Sequence, residues 1–229
     1  MYLLVAATDL ELEPAGKALA GSRNVSFLLS GVGPVDAAFA LTRYLSLHNQ
    51  VSAVINFGVA GAYLNTGLEM LDLCVAQSEV LADLGICFPD RIEPFAGDAL
   101  AVNREFDLEN ELFQQARKIL GFENIPFTSG RFLTVNCVSG TGMRGDYLQK
   151  THQAICENME GAALARVCQG FGVDFLELRC VSNMVEDRNP SKWRLQEACA
   201  AAGFAVAKVV RGLSEARRQK PGARRQKSE

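Results

Sequence analysis

The chain has 229 residues, of which 48% are hydrophobic and 21% are charged, and its formal net charge is −3. This length and composition are typical of one soluble globular domain with a large core. The net negative charge gives the folded body no electrostatic reason to bind nucleic acid. No apolar stretch reaches the length of a transmembrane helix, so no membrane partner is expected.

The N-terminal run Tyr2–Ala7 is apolar, lacks a basic residue before it and is followed at once by acidic residues. We interpret it as a first β-strand and not as a signal peptide, and we expect a cytoplasmic protein. The seven cysteines form no C-x-x-C pair, which favours reduced core or surface thiols. The only two histidines, His48 and His152, lie far from any cluster of ligand-type residues, so no metal site is predicted.

Short β-type runs alternate with helical patterns along the chain. Strands are predicted at Tyr2–Ala7, Val25–Ser30, Val51–Phe57, Leu71–Ala76, Phe132–Val135 and Val173–Val181. Helices are predicted at Leu10–Leu19, Val35–Leu47, Glu105–Leu120, Met159–Gln169 and Leu195–Leu213. Several strands are continuously apolar, as expected when both faces are covered. The pattern predicts an α/β fold, a single domain with a central mixed, mostly parallel β-sheet flanked by helices.

Three further segments lack a clear strand or helix pattern. Leu81–Asn103 is predicted to be a long loop, and long loops in compact enzymes are often functional. Gly140–Gly145 contains a literal G-x-G-x-x-G, but a short polar segment follows it and no βαβ unit, so a flexible surface loop is predicted. Residues 214–229 are basic and contain no large apolar group; we predict a disordered tail there and a folded domain over residues 1–213.

Small and polar residues follow most of the predicted strands. In open α/β sheets ligands bind outside the carboxyl ends of the strands, so a ligand site is predicted at this edge. Taken alone, each residue also has a plain structural explanation: a helix start for Glu11 and Glu160, and a turn for Asn183. The small and polar segments that follow the predicted strands are Thr8–Glu11, Ser30–Gly33, Gly58–Gly61, Asn136–Ser139 and Ser182–Asn183.

Two short motifs carry a resemblance to a known family. They are Asn158-Met-Glu-Gly-Ala-Ala163 and Arg179-Cys-Val-Ser-Asn183, with Asn183 23 residues after Glu160. The pair resembles the active-site segment of the purine nucleosidase and nucleoside phosphorylase superfamily. There a Met-Glu-Gly/Ala motif holds the ribose, and a Ser-Asp or Ser-Asn pair holds the purine. The resemblance extends from Tyr2 to about Leu213.

The resemblance implies a role for each matching residue. Glu11, the last acid of a cluster after the first strand, is expected to activate the attacking water, with Glu13 as the alternative two residues on. Glu160 is expected to accept hydrogen bonds from the ribose hydroxyls, and Met159 to pack against the sugar. Ser182 is expected to bind substrate beside Asn183. The remaining substrate-binding residues predicted at the strand ends are Gly33, Gly58 and Val138.

Asn183 bears on the choice of base. Adenine-releasing relatives carry Asp at this position, which can protonate N7 and accept from the 6-amino group. An asparagine amide donates a hydrogen bond instead, and it can stabilise charge that develops on a departing 6-oxopurine. Asn183 is therefore predicted to be catalytic and to favour hypoxanthine.

Water is predicted to be the nucleophile. Val59 stands where the related nucleosidases carry a serine, and no arginine lies within the stretches Gly31–Gly33 or Gly58–Gly61. Neither stretch therefore offers the cationic group that a phosphate would need.

The segment Asn183–Trp193 is most similar to the futalosine hydrolases of menaquinone biosynthesis. This similarity implies hydrolysis of the N-glycosidic bond of futalosine to hypoxanthine and dehypoxanthine futalosine, with neither metal nor organic cofactor. Arg188 and Trp193 would serve the carboxylate and ring on the 5′ side of the substrate. The segment departs from that family's pattern at Glu186 and Arg188-Asn189, where Gly and Arg-Asp are usual.

The superfamily commonly forms homo-oligomers in which a neighbouring subunit completes the site. A homo-oligomer is therefore expected, with Leu81–Asn103 as the segment donated to the partner. Three other functions stay open: an adenine-releasing nucleosidase acting on methylthioadenosine, S-adenosylhomocysteine or aminofutalosine, a purine nucleoside phosphorylase, and a non-catalytic nucleoside-binding protein.

Overall fold

The computed structural model describes residues 1–93, 95 and 102–219, with only the backbone for the last two. The strands in this part of the chain are Tyr2–Ala6 (β1), Val25–Leu29 (β2), Ala53–Tyr63 (β3), Leu73–Leu81 (β4), Ile86–Cys87 (β5), Ile92–Glu93 (β6), Glu105–Asp107 (β7), Thr128–Thr134 (β8), Cys156–Asn158 (β9) and Asp174–Val185 (β10). The helices are Asp9–Ala18 (α1), Pro34–Leu47 (α2), Glu111–Phe122 (α3), Gly142–His152 (α4), Gly161–Phe171 (α5) and Leu195–Gln219 (α6).

One mixed sheet of eight strands forms the centre of the molecule. Its order is β10-β4-β8-β9-β3-β1-β2, with β7 paired to β4. The pairs β1–β2, β1–β3, β3–β10, β4–β8 and β8–β9 are parallel. In addition β10 pairs with both β3 and β4, and β9 pairs with the end of β3, so β3, β10, β4, β8 and β9 close into a ring. The predicted α/β fold with a mixed, mostly parallel sheet is confirmed.

Helices cover both faces of the sheet, which explains the continuously apolar strands. On one face Leu4, Ile55 and Leu178 form a core with residues of α1, α3 and α6. On the other face Leu3 and Val54 pack with residues of α2 and α5. Because side chains alternate along a strand, each apolar run supplies both cores at once.

Four strands, β3, β4, β8 and β10, are longer than the sequence predicts, and two of them, β3 and β10, shape the site. β3 continues through Gly58 and Gly61, so the predicted strand end at Phe57 is wrong. A Cβ on Gly58 would overlap the Glu11 carboxylate, and one on Gly61 would lie 3.1 Å from Asn183 Nδ2. Both glycines therefore mark a close approach of side chains to a strand. β10 also continues, and its register on β3 shifts between Val181 and Asn183, which leaves Ser182 as the extra residue of a bulge.

Two helix starts also differ from the prediction. The helix predicted from Glu105 begins at Glu111, because the Asn110 side chain caps it by accepting from Phe113 N at 2.9 Å; residues 105–107 are the strand β7. The G-x-G-x-x-G segment is not a loop throughout, since α4 begins at Gly142 with Thr141 as its N-cap.

The C-terminal helix extends further than predicted. α6 ends at Gln219 and not at Leu213, so the first six residues of the predicted disordered tail are helical. The rest of that tail, residues 220–229, lies outside the described residues. Within the predicted loop Leu81–Asn103, β5 and β6 form a hairpin, and residues 94 and 96–101 also lie outside the described part. No helix in the described ranges is long and apolar enough to cross a membrane.

Candidate active site

A cavity of about 410 Å³ opens where the ends of β1, β3 and β10 meet the first turns of α1 and α5. Motifs that are far apart in sequence meet here because their strands are neighbours in the sheet. Seven of the predicted site residues line it: Glu11, Val138, Met159, Glu160, Ser182, Asn183 and Trp193. Among the residues that the structure describes, no three His, Cys, Asp or Glu side chains are grouped to hold a metal ion.

Glu11 belongs both to a helix cap and to the cavity. Thr8 is the N-cap of α1, and its N–H and hydroxyl donate to Glu11 Oε2 at 3.1 and 2.8 Å. Val59 N–H donates to Glu11 Oε1 at 3.0 Å. The side chain is only 5% exposed. Glu13, the alternative acid, does not line the cavity; it forms an exposed ion pair with Lys17.

Glu160 is the N-cap residue of α5 and is fixed through both carboxylate oxygens. Gly33 N–H donates to Oε1 at 3.0 Å, and Arg179 Nη2 lies 3.4 Å from Oε2. Gly33 thus supports Glu160 from behind the cavity, in a backbone conformation of φ 91° that favours glycine. Burial raises the pKa of Glu160 above its ordinary value, although the Arg179 guanidinium and the Gly33 N–H oppose the shift.

Arg179 is a site residue that the sequence reasoning missed. It is fully buried below the cavity, 2.8 Å from Glu177 Oε1 and 3.3 Å from Asn158 Oδ1. Burial works to lower the pKa of Arg179, but the nearby carboxylates, Glu177 and then Glu160, raise it above its ordinary value. The sequence does contain a signal for this pair, since Glu177 and Arg179 are two apart in an apolar strand and therefore share one face.

A pair of buried carboxyl groups lies beneath Arg179. Glu79 accepts from Thr134 Oγ1 at 2.8 Å and from Asn158 Nδ2, and Glu177 Oε2 has no hydrogen-bond partner among the described residues. A Cβ on Gly161 would overlap both carboxyl groups, which shows how closely they approach each other. Burial, and then the charge of Glu177, raise the pKa of Glu79 well above its ordinary value. Glu79 therefore keeps its proton to a higher pH than an exposed glutamate does.

Ser182 and Asn183 lie on the bulge of β10. Ser182 Oγ lies 2.9 Å from Asn183 Oδ1 and 3.3 Å from Ala60 O. The bond to Oδ1 orients the amide of Asn183. Among the described residues its nitrogen has one hydrogen-bond contact, a long one of 3.4 Å with Met184 O. The Asn183 NH₂ group is therefore left with donor capacity beside the cavity.

The other three predicted site residues do not line this cavity. Gly58 lies directly under Glu11, and Gly33 lies behind Glu160. Arg188 lines a second cavity of about 280 Å³, which shares Asn183 and Trp193 with the first. Its guanidinium lies over the Trp193 ring, 4.6 Å from the centroid.

Comparison with known proteins places the chain among nucleoside-processing enzymes. The sequence pattern of the Phosphorylase superfamily matches residues 15–215. A futalosine hydrolase from Thermus thermophilus is 35% identical over 232 aligned residues, which cover 95% of this chain and 99% of that protein. A 5′-methylthioadenosine/S-adenosylhomocysteine nucleosidase from Staphylococcus haemolyticus is 24% identical, with 84% of this chain and 83% of that protein covered.

Solved structures show the same architecture. A futalosine hydrolase mutant of Helicobacter pylori superposes with a TM-score of 0.80 and covers 92% of this chain and 98% of its own. Its sequence identity is 22%, so this likeness concerns the fold.

Proposed function

The chain belongs to the phosphorylase superfamily, and from that premise we propose that it is a nucleosidase that hydrolyses the N-glycosidic bond of futalosine. Water attacks the anomeric carbon of the ribose, the bond to the base nitrogen breaks, and hypoxanthine departs. The transition state resembles an oxocarbenium ion, as in glycoside hydrolysis generally. The sequence identity of 35% to a futalosine hydrolase, over 95% of this chain, supports this substrate.

The hydrogen bond between Val59 N–H and Glu11 is the observation that favours hydrolysis over phosphorolysis. A phosphate bound at Gly58–Gly61 would use the free N–H groups of that segment. Glu11 Oε1 already accepts from Val59 N–H at 3.0 Å and fills the space above Gly58. A dianion in the same place would face a carboxylate.

The nearby guanidinium does not reverse this conclusion. Arg179 lies close to the segment, since a Cβ on Gly58 would be 3.0 Å from its Nη1. However, the carboxylates of Glu177, Glu160 and Glu11 all act on Arg179. Three acidic groups around one cation leave no positive charge for a phosphate, whereas water needs none.

Each residue then has a task that its contacts favour. Glu11 orients the water and takes its proton. Glu160, paired with Arg179, accepts from the ribose hydroxyls and stabilises the positive charge that develops on the sugar. The NH₂ group of Asn183 donates to the 6-oxo group of the departing base. Met159 packs on the sugar.

The second cavity is the proposed place for the 5′ substituent of the substrate. It adjoins the first at Asn183 and Trp193, and its Arg188 is an exposed cation stacked on an aromatic ring. A carboxylate can pair with the guanidinium, and an aryl group can pack on the Trp193 indole.

The deciding experiment is incubation with futalosine, aminofutalosine, inosine and methylthioadenosine, with and without phosphate. We expect free hypoxanthine from futalosine at a rate that phosphate does not change, and slower release from the 6-aminopurine substrates. A sugar 1-phosphate as the main product would make the protein a phosphorylase. Faster release of adenine than of hypoxanthine would make it an adenine-releasing nucleosidase.

A further inference from the structure

Glu157 is a buried acid at the same cavity to which the reaction described above gives no task. It lies on β9, is 5% exposed and lines the cavity together with Asn183. Gly61 is next to both side chains: a Cβ there would lie 3.1 Å from Asn183 Nδ2 and 3.6 Å from Glu157 Cγ. The donor amide and the carboxylate are therefore neighbours across one glycine.

The surroundings of Glu157 fix it as a hydrogen-bond acceptor. Ser139 N–H donates to Oε1 at 2.7 Å, while Ser139 Oγ and Tyr63 OH donate to Oε2 at 2.7 and 3.0 Å. Burial, and then the charge of Glu157, raise the pKa of Tyr63 well above its ordinary value, so the phenol keeps its proton and donates. Within the part of the chain that the structure describes, Oε1 has one partner and retains acceptor capacity.

Neighbouring donor and acceptor groups match one class of purine. A 6-oxopurine presents the O6 acceptor beside the N1–H donor, whereas a 6-aminopurine presents an amino donor beside the N1 acceptor. We propose that Glu157 accepts the N1–H of the base and, with Asn183 on O6, selects 6-oxopurines. This inference rests on the proposed function, because it assumes that the base departs from this cavity.

A 6-aminopurine would meet a mismatch at both positions. Its N1 lone pair would face the Glu157 carboxylate, and its amino group would face the Asn183 amide. Sites built around such hydrogen bonds reject the wrong partner strongly, because the buried groups are left unpaired.

The first test compares the binding of free bases to the unmodified protein by calorimetry. Hypoxanthine should bind at least about tenfold more tightly than 1-methylhypoxanthine, which keeps O6 but has lost the N1–H. Adenine should also bind more weakly than hypoxanthine. Equal binding of hypoxanthine and its 1-methyl derivative would overturn the role of Glu157 without any variant.

The second test uses Glu157→Gln, whose amide can donate to N1 of adenine. We expect kcat/KM for futalosine to fall at least about tenfold and kcat/KM for aminofutalosine to fall less or to rise. A purely structural role would lower both equally. Tyr63→Phe is the matched control, because it removes one donor to Glu157 from outside the cavity and should leave the ratio unchanged.

The outcomes separate the two hypotheses. If the unmodified protein prefers aminofutalosine, the proposed function fails. If it prefers futalosine but Glu157→Gln does not change the ratio of the two specificities, only the assignment of Glu157 fails.

Discussion

At the scale of single residues, Glu11 shows how one side chain can have both a structural role at a helix start and a role in the active site. Its position at a helix start indicates a carboxylate that interacts favourably with the helix dipole. The structure does show it in a capping box with Thr8. Yet the same carboxylate reaches β3 and lines the cavity. The cap holds the carboxylate in one orientation, which a general base requires.

Glu11→Gln should therefore reduce turnover by about 10²–10⁴-fold, because an amide keeps the shape but cannot take a proton from water. The KM for futalosine should change little. Steady-state kinetics on purified protein measures both. Glu13→Gln is the matched control, since this acid is exposed, pairs with Lys17 and does not line the cavity, and it should keep full activity. Near-normal turnover in the Glu11 variant would show that Glu11 is not the general base.

Asn183→Asp should move the base preference towards 6-aminopurines. An ionised aspartate would set an acceptor against O6, and a mismatch of this kind costs about 1–3 kcal/mol. We expect kcat/KM for futalosine to fall by at least about tenfold, and kcat/KM for aminofutalosine to fall less or to rise. The ratio of the two specificities is the quantity to measure; an unchanged ratio would show that Asn183 does not contact position 6.

The sequence predicts the residues that lie in short motifs and misses those that act through packing. Glu160, Ser182 and Asn183 stand out because their motifs are local and polar. Arg179 lies in a quoted motif but has no visible task until β10 is placed beside β3 and α5. Glu177 is its neighbour on one face of the same strand, but Asn158 becomes a partner only when the sheet brings β9 close to β10, which no local pattern encodes.

At the scale of elements, the sequence predicts the positions of most strands but not their lengths. Glycine weakens the interior of a strand, and the sequence therefore predicts that β3 ends at Phe57, before Gly58 and Gly61. Here the strand continues because the missing side chains make room for Glu11 and Asn183. The three-residue strand β9 is too short to produce a periodic pattern, although it brings Glu157 and Asn158 to the cavity.

The carboxyl pair of β4 and β10 makes stability depend on pH. The pKa of Glu79 is raised above its ordinary value of 4.5, so its contribution to the free energy of unfolding is complete below that pH. The contribution is lost as the pH rises through the native-state pKa. In the window where only the native state holds the proton, the loss is about 1.4 kcal/mol per pH unit.

Glu79→Gln should remove this dependence, because glutamine mimics the protonated acid and cannot ionise. The free energy of unfolding of the variant, minus that of the parent, should increase as the pH rises above about 4.5. Urea denaturation between pH 5 and pH 8 measures the difference. The exposed Glu13→Gln should give a flat difference. A flat difference for Glu79→Gln as well would mean that the pKa of Glu79 is not raised in the folded protein.

At the scale of the whole molecule, an apolar surface beside the cavity fits the expected homo-oligomer. Val32, which lines the cavity, is 55% exposed, and Val35 and Phe39 of α2 are 78% and 68% exposed. Val35 and Phe39 are four residues apart and therefore share one helix face. Apolar groups exposed together in this way are typical of a surface that another subunit covers.

Val35→Glu combined with Phe39→Glu should shift the protein to monomers, because association would bury the two introduced carboxylates of a subunit. Size-exclusion chromatography with light scattering measures the mass, and kcat/KM should fall if a partner completes the site. Phe122→Glu is the control, since Phe122 is 85% exposed at the end of α3. A monomeric parent protein, or a double variant that stays oligomeric, would contradict the assignment of this surface as a subunit interface.

The ring formed by β3, β10, β4, β8 and β9 also determines how the site is lost on heating. Each of these five strands is paired on both sides within the described sheet. None can therefore detach without losing its hydrogen bonds to two neighbouring strands. Residues that line the active-site cavity lie on three of them, β3, β9 and β10, and local opening of a single strand is therefore costly. Backbone amides of the ring should exchange with deuterium only through global unfolding. Heat inactivation and the melting of the fold should then be one cooperative event, with no folded but inactive species in between.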